Sequence, residues 1–441
     1  MNPQRVAVIG GGWSGLAAAV AAVQAGHAVT VFEASRQWGG RARTVGHDGA
    51  PADHPALDNG QHILIGAYTD TLNLMRTVGV KPESVLLRMP LCLQTPDGNG
   101  LRLPNWPAPL DVLAGVVTAR GWSWADKLSM LRTTSRWQLA GFQCAPSTSV
   151  SDLCQGLSPK VMQTLIEPLC VSALNTPAPQ ASGQVFLRVL KDSLNGGGGS
   201  SNLLIPTTDL TALMPGPACR WLLARGASLR PGQRVQQLEQ GETWQVNGEP
   251  FDAVILATTP TAACQLLKPL SDKPGAPHTM VEWTEQASAL CFEAIATVYL
   301  QAPSARLPLP VLALASDATN PAQFVFDRGQ LGGPSGQLAF VVSAAHGDRA
   351  ELQEQVTQQA RSQLTQVSAT AALQAVMTVV EKRATFACTP GLVRPKCRLR
   401  PACGPAVTIS KAPTPPPWRA PYAAASRQHK PSEAAPEVAL D

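Results

Sequence analysis

Arg5-Val6-Ala7-Val8-Ile9-Gly10-Gly11-Gly12-Trp13-Ser14-Gly15 decides the fold, because of what flanks its glycines. Arg5 to Ile9 is a short apolar run of the kind that forms a buried parallel strand. Leu16 to Ala25 is alanine-rich and helix-forming. A second strand is expected over Ala28-Val29-Thr30-Val31-Phe32, ending in Glu33. A lone GxGxxG is often only a glycine-rich turn. With strand, helix and terminal acid in register it is a βαβ unit of the dinucleotide-binding kind. Gly10 permits the tight turn, Gly12 lets the backbone approach a pyrophosphate, and Gly15 lets helix and strand pack closely. The helix N-terminus, at Trp13 and Ser14, offers N–H groups to the anion. Glu33, followed by Ala34, is placed to accept a hydrogen bond from a ribose hydroxyl.

The next residues separate one dinucleotide from another. Gly39-Gly40-Arg41-Ala42-Arg43 lies just past the second strand, and Leu57-Asp58-Asn59-Gly60-Gln61-His62 comes after it. A simple nicotinamide-binding domain requires no second glycine-arginine loop here. A solvated basic turn is the bland alternative. The whole stretch EASRQWGGRARTV (Glu33 to Val45) resembles the two-dinucleotide-motif flavoproteins of the amine oxidase and phytoene desaturase superfamily. That resemblance implies FAD, with the loop running along its pyrophosphate. Gly40 then gives backbone access and Arg41 positive charge. Gly60, Gln61 and His62 join the expected cofactor contacts.

Three further segments narrow the resemblance: DNGQHILIGAY (Asp58 to Tyr68), EPLCVSALNTP (Glu167 to Pro177) and FACTPGL (Phe386 to Leu392). They are similar to the squalene-associated branch, the hydroxysqualene dehydroxylase family of bacterial hopanoid synthesis. The similarity runs over roughly residues 4 to 395. It implies a long isoprenoid substrate, hydroxysqualene, whose allylic hydroxyl is removed reductively to give squalene. A carotenoid-type (phytoene) desaturase, running the opposite redox direction, is the enzymatic alternative. An inactive lipid-binding relative is the alternative of another class. No catalytic residue is secure. His62 is the candidate for proton transfer, and a structural hydrogen bond is an equal reading of it. Cys170 reads as a packed core thiol sooner than a catalytic one.

Composition agrees. A chain of 441 residues suggests two domains, and 44% hydrophobic against 15% charged residues can fill a large core. No run of apolar residues is long enough to span a bilayer. Met1 to Gln4 leads directly into the first strand, which leaves no room for a signal peptide. The ten cysteines show no C-x-x-C pair and no metal-like spacing, so a reducing, cytoplasmic location and buried thiols are expected.

The expected class is α/β: a Rossmann-like FAD-binding domain with a parallel sheet, plus a discontinuous α+β substrate domain. The FAD domain is expected over 1–82 and 201–270, and the substrate domain over 83–200 and 271–385. Residues 386–395 begin a closing FAD segment. Phe251 to Pro260 reads as an apolar strand breaking into a small-residue turn. Strands are expected around Glu293–Leu300 and Leu338–Ser343, and a helix near Arg349–Val367. Val235 is either a backbone contact to the adenine or an ordinary strand residue.

Ser123 can N-cap a helix with Asp126 in its first turn. Trp124, Leu128 and Leu131 then share one face, flanked by Lys127, Arg132 and Arg136, with Trp106 and Trp122 upstream. A core-facing helix with solvated flanks is the expected reading of this stretch. A basic-flanked aromatic face on an anionic membrane is the alternative. An apolar substrate brings with it peripheral contact with the inner face of the cytoplasmic membrane, and with squalene synthase-like enzymes.

The C-terminus departs from the family. Nothing after Pro395 matches the closing pattern GDYxxGPYPATLEGAVxSG. Residues 396–441 are instead basic and proline-rich, with seven Lys or Arg against three acids, and read as a disordered tail. Val407-Thr408-Ile409-Ser410-Lys411-Ala412 can be encoded as GTG ACT ATA TCG AAG GCC. Begun one base earlier with a G, the same bases read Gly-Asp-Tyr-Ile-Glu-Gly. Continuing through Arg427 permits Pro-Tyr-Pro-Ala-Thr-Leu-Glu-Gly-Ala-Val-Arg-Ser-Gly-Ile-Ala, the missing motif. A one-base frameshift in the gene or its reported sequence, between about Pro395 and Cys403, accounts for the tail. Loss of the closing helix implies weak FAD binding and no activity for the chain as written.

Overall fold

The computed structural model describes residues 2–45, 57–107, 109–195, 198–302, 305–365, 373–396, 398–399 and 407–409. The chain forms two compact units. The first gathers residues 1–40, 217–288 and 395–441, the second 41–216 and 289–394.

The sheet of the first unit contains β1 (Arg5–Ile9), β2 (Ala28–Glu33), β3 (Ser228–Pro231), β4 (Ala253–Leu256), β5 (Arg398–Leu399) and β6 (Val407–Ile409). Its order is β3-β2-β1-β4-β6-β5. All neighbours are parallel except β5 and β6. β1 is central, with Val8 opposite Val31 on one side and Ile255 on the other. Val6 to Ile9 are all buried, which is why the strand is a continuous apolar run and not an alternating one. Helix α1 (Trp13–Gln24) makes the crossover to β2. It buries Leu16 to Ala22 without interruption, and its alanines allow close seating.

β4 ends before Ala257-Thr258-Thr259. The Thr259 hydroxyl caps the following helix, Pro260–Ser271, by accepting from the Ala262 N–H at 3.4 Å. Phe32 and Phe251 meet edge-on, 5.9 Å between centroids, in a core that includes Trp244, Leu267 and Trp283. The parallel sheet and the α/β class are as expected.

The second unit is built on a five-stranded antiparallel sheet. The strands run Val311–Ala313, Phe324–Asp327, Gln337–Ser343, Phe292–Gln301 and Gln374–Phe386 across it. The helix Arg349–Gln363 follows the third of these in the chain. Asn175 ties this unit together. It takes the left-handed conformation that ends the helix Glu167–Leu174, with φ 48°. Its side-chain oxygen accepts from the Ala344 N–H at 2.6 Å, and its amide donates to the Glu293 carbonyl and the Thr385 hydroxyl. Cys170, on that helix, is fully buried with its thiol pushed well above the ordinary range, first by burial. It is a core thiol.

Four expectations need correction. The first unit takes only 1–40 of the N-terminal segment, not 1–82, and resumes at 217, not 201. The Leu57–Asp58 strand pairs with Thr44–Val45 and so belongs with the second unit's residues. The tail after 396 is not without regular structure, because β6 pairs with β4 and β5 with β6. Val-Thr-Ile is a β-branched run, and the far side of β4 presents it an edge to pair with. Pro413 to Pro417, like everything after 409, lies outside the described residues.

The fourth concerns helices α2 (Leu110–Thr118) and α3 (Trp124–Leu139) of the second unit. Ser123 and Asp126 do form a reciprocal capping box. Met130, Thr133 and Trp137 are the residues that α3 buries; of the expected face, Leu131 is partly buried against the core, whereas Trp124 and Leu128 are exposed. The inward face was missed because it carries a threonine between its two large apolar residues. No helix among the described residues is long and apolar enough to cross a membrane.

Asn175→Ala should lower the stability of the second unit by about 3 kcal/mol, since it strands buried donors and acceptors on three segments. Denaturant unfolding followed by tryptophan fluorescence checks this, and an unchanged midpoint would refute the tie.

Candidate functional site

The glycine-rich turn is shaped by two close approaches. A Cβ on Gly15 would lie 1.8 Å from the Gly10 carbonyl oxygen. A Cβ on Gly10, itself at φ +111°, would lie 2.5 Å from the Ala257 carbonyl oxygen. Both glycines are therefore demanded by the protein's own packing. Gly12 is different. A Cβ there would meet nothing nearer than the Gly40 Cα at 3.7 Å, and its φ of −74° suits any residue. Among the described residues, no neighbour requires glycine at 12. Gly12 is also the N-cap of α1 and caps it with no side chain. The opening turn thus lacks the oxygen that a Ser or Asp would supply.

The rest of the first unit's candidate residues collect around this turn. The Glu33 carboxylate accepts from the Gly11 N–H at 2.6 Å and from the Ser35 N–H at 2.7 Å. It pins the glycine turn to the end of β2, and each oxygen keeps further acceptor capacity. Ala34 beside it is exposed. Gly39 donates to the Gly11 carbonyl at 2.9 Å, which brings Gly40 beside Gly12. The Trp38 ring lies against Gly11, where a Cβ would come within 2.4 Å of it. Its role was not foreseen, although its place inside EASRQWGGR was the available signal. Val235 is buried in this unit's core, in the connection between β3 and the strand Leu238–Gln240, and not in a strand. A helix N-terminus without a side-chain cap, a strand-end carboxylate and a glycine kept bare for no internal reason fit a dinucleotide.

Arg41, Gly60, Gln61 and His62 belong to the second unit. Arg41 Nη1 donates to the carbonyls of Arg383 and Ala384, at 2.9 and 2.5 Å. Any charge that it lends a phosphate comes from the remainder of the guanidinium. Asn59 holds the same segment by donating its amide to the Arg41 carbonyl at 3.0 Å. Gly60 has φ +105°, with His62 and Thr297 the nearest groups to its bare side. The imidazole of His62 is pushed down to about 4, first by burial and then by the Arg41 charge, against a backbone hydrogen bond at Asn59. The ring is neutral at pH 7 and is no proton donor of the imidazolium kind there.

A buried polar cluster supports these residues. Asp58 accepts from the Leu210 N–H at 2.9 Å and the Thr44 hydroxyl at 3.3 Å. Arg328 donates to Gln61 Oε1 at 3.1 Å, and its Nη2 stands 3.8 Å from the Asp58 carboxylate. The Tyr299 hydroxyl donates to the Asp58 carbonyl at 3.0 Å. Burial raises Asp58 to about 6, with Arg328 and the hydrogen bonds opposing it. Neither Arg328 nor Tyr299 was singled out from sequence, since an arginine or tyrosine far along the chain carries no mark of burial.

The chain falls in a known class. Residues 13–387 match the family model of flavin containing amine oxidoreductases. The chain belongs to that family, and its cofactor is FAD. It is similar to hydroxysqualene dehydroxylase of Sinorhizobium fredii, at 30% identity over 60% of this chain and 64% of the relative. The same enzyme of Rhodopseudomonas palustris is 31% identical over 59% of this chain and 63% of the relative. The chain thus spans less than two thirds of either relative's length. Among solved structures it resembles cyclohexylamine oxidase of Brevibacterium oxydans, with a TM-score of 0.66, 17% identity, and coverage of 96% of this chain and 98% of that one. That likeness is one of fold.

Gly12→Ala should leave the folded first unit unchanged and cut FAD affinity at least about tenfold, because the methyl intrudes only on a ligand. Gly15→Ala should instead prevent stable folding of that unit. Circular dichroism with flavin fluorescence titration separates the two, and equal effects of both substitutions would refute the distinction.

Asp58 gives a pH test. Its folded value lies above the ordinary 3.8, so the folded state holds the proton more tightly and stability falls as pH rises from about 4 to about 6. Relative to Asp58→Asn, the native chain should gain about 3 kcal/mol between pH 7 and pH 4. Parallel pH series of the two unfolding midpoints measure it, and parallel curves would refute it.

Proposed function

We propose that this chain is a FAD-dependent oxidoreductase that removes the hydroxyl of hydroxysqualene reductively to give squalene. The observation that carries the reading is the pairing of a turn kept bare at Gly12 with similarity, over most of the chain, to enzymes of that name. Bound FAD in its reduced form supplies the hydride that replaces the departing hydroxyl.

The chain's own residues do the holding. Gly10, Gly12, Trp13, Ser14 and Gly15 form the phosphate turn. Glu33 and Ala34 meet the ribose, Gly40 lets the backbone approach, and Val235 lies at the adenine. Arg41, Gly60, Gln61 and His62 serve the flavin end. Arg328 holds Gln61, and Asn59 holds the Arg41 backbone, so both act as positioning residues. His62, neutral at pH 7, orients by hydrogen bonding and does not deliver a proton. The partners are the long isoprenoid itself, a cytoplasmic membrane met at its inner face, and the squalene synthase-like enzymes that precede this step. The closing motif encoded one base out of frame completes the FAD domain.

Incubation with hydroxysqualene, and separately with phytoene, followed by mass spectrometry of the products, tests the reaction. Squalene from hydroxysqualene is expected of the frame-restored chain. A phytoene product with more double bonds would replace the reading by a carotenoid desaturase. Restoring the frame near Pro395 to Cys403 should restore flavin absorbance and turnover together. A chain that holds stoichiometric FAD and turns over as written would refute the frameshift's functional consequence. Whichever frame is active, its pH profile should show no limb near 6.5 removable by His62→Gln.

A further inference from the structure

The second unit carries an apolar surface that no described residue covers. Leu110, Leu113 and Val117 recur along one side of α2 at helical spacing, and all three are exposed. Trp124 and Leu128 do the same on α3, with Trp124 exposed to 70%. On α3 they lie opposite Met130, Thr133 and Trp137, which face the core. The two stripes meet, because Lys127 Nζ reaches across from α3 to donate to the Val117 carbonyl at 2.7 Å, at the end of α2. Trp106, 57% exposed, stands at the head of α2, where the adjoining Pro107 carbonyl accepts from the Leu110 N–H.

The charges around this surface are predominantly basic. Arg120, Arg132 and Arg136 are exposed beside it, and the Lys127 ammonium lies 5.1 Å from the Trp124 ring centre. Of the two acids of α2 and α3, one is withdrawn from solvent and the other is a capping residue. Asp111 is buried, and Asp126 is held by the Ser123 hydroxyl and backbone N–H. Two exposed tryptophans among aliphatic side chains, rimmed by four cations against the single capping carboxylate of Asp126, have the composition of an interfacial membrane contact.

We infer that the α2–α3 face docks on an anionic lipid bilayer, with Trp106, Trp124 and the leucines in the interface and the basic side chains among the headgroups. The choice of a bilayer over a protein partner rests on this charge pattern and draws on the isoprenoid substrate proposed above. A second copy of the chain is a poor fit, since two such faces would bring like charges together.

The test uses the full chain and substrate-free vesicles of phosphatidylcholine mixed with phosphatidylglycerol. The native chain should co-sediment with them, and less so with phosphatidylcholine alone. Trp124→Ser and Leu128→Ser should each weaken binding about tenfold. Lys127→Gln and Arg132→Gln should each cost about fivefold, an effect that high salt removes. Trp124 and Leu128 lie outside the buried core, so circular dichroism should be unchanged. With the frame restored, both should convert detergent-dispersed hydroxysqualene as the unsubstituted frame-restored chain does. Native-like vesicle binding by the Trp124→Ser/Leu128→Ser double variant would overturn the inference. So would a native dimer that this double variant converts to monomer without any vesicle binding. A frame-restored chain that binds vesicles but makes no squalene would instead overturn the proposed reaction and leave the docking face standing.

Discussion

The first unit depends on one close contact, that of the Gly15 backbone against the Gly10 carbonyl. Any side chain at 15 would collide with it at 1.8 Å. Because none is there, α1 begins immediately after β1 and lies flat enough on the sheet to bury Leu16 to Ala22. That placement fixes where the first turn of α1 points. The Gly11 N–H is then spent on Glu33, and Gly39 is drawn against the Gly11 carbonyl, so one short turn joins β1, β2 and the loop after it. Side-chain burial stabilises this arrangement, but the backbone approach selects it.

The second unit solves a different problem. Its DNGQH segment, Asp58 to His62, is held from below by charged and polar groups out of water. Such a cluster is costly, and the raised Asp58 carboxyl reports the cost. What it gives is position. Arg328 grips Gln61, Tyr299 grips the Asp58 carbonyl, and Asn59 grips the Arg41 backbone, all within a few residues of Gly60. Arg41, turned onto two strand carbonyls, lowers the basicity of His62 by its charge. The histidine that sequence offered for proton transfer is thereby made a neutral hydrogen-bonding group.

These differences explain what was legible beforehand. The βαβ unit was readable because its backbone approaches permit only glycine at fixed spacing, and the strands because burial on both faces demands unbroken apolar runs. Arg328 and Tyr299 were not, since their significance lies in contacts with residues more than two hundred positions away. The orientation of α3 was misjudged for a related reason. Two apolar stripes share that helix, and sequence cannot say which meets a partner. Each stripe carries one tryptophan, Trp124 on one and Trp137 on the other, so the side chains do not mark the inward face. Unit boundaries failed because Arg41, adjacent to the glycine loop in the chain, makes its hydrogen bonds with the strand Gln374–Phe386. The bare Gly12 was legible as a motif position, but its lack of any internal reason to be glycine appears only in three dimensions.

A strand such as β6, within an out-of-frame tail, looks at first like a sign that the tail is native. Its pairing with β4 requires only an open parallel edge and a β-branched run, and Val407-Thr408-Ile409 is such a run in either circumstance. The strand runs parallel to β4 and β1, so its C-terminal end points the same way as the end of β1 that carries Gly10. In open α/β sheets that is the end at which ligands bind. A closing strand there should deliver a glycine and a carboxylate to the crevice. After Ile409 the chain continues Ser410-Lys411-Ala412-Pro413, with neither. Position in the sheet and chemistry at its end have come apart. A shift of reading frame produces that separation, because it preserves the length of the segment while replacing its side chains.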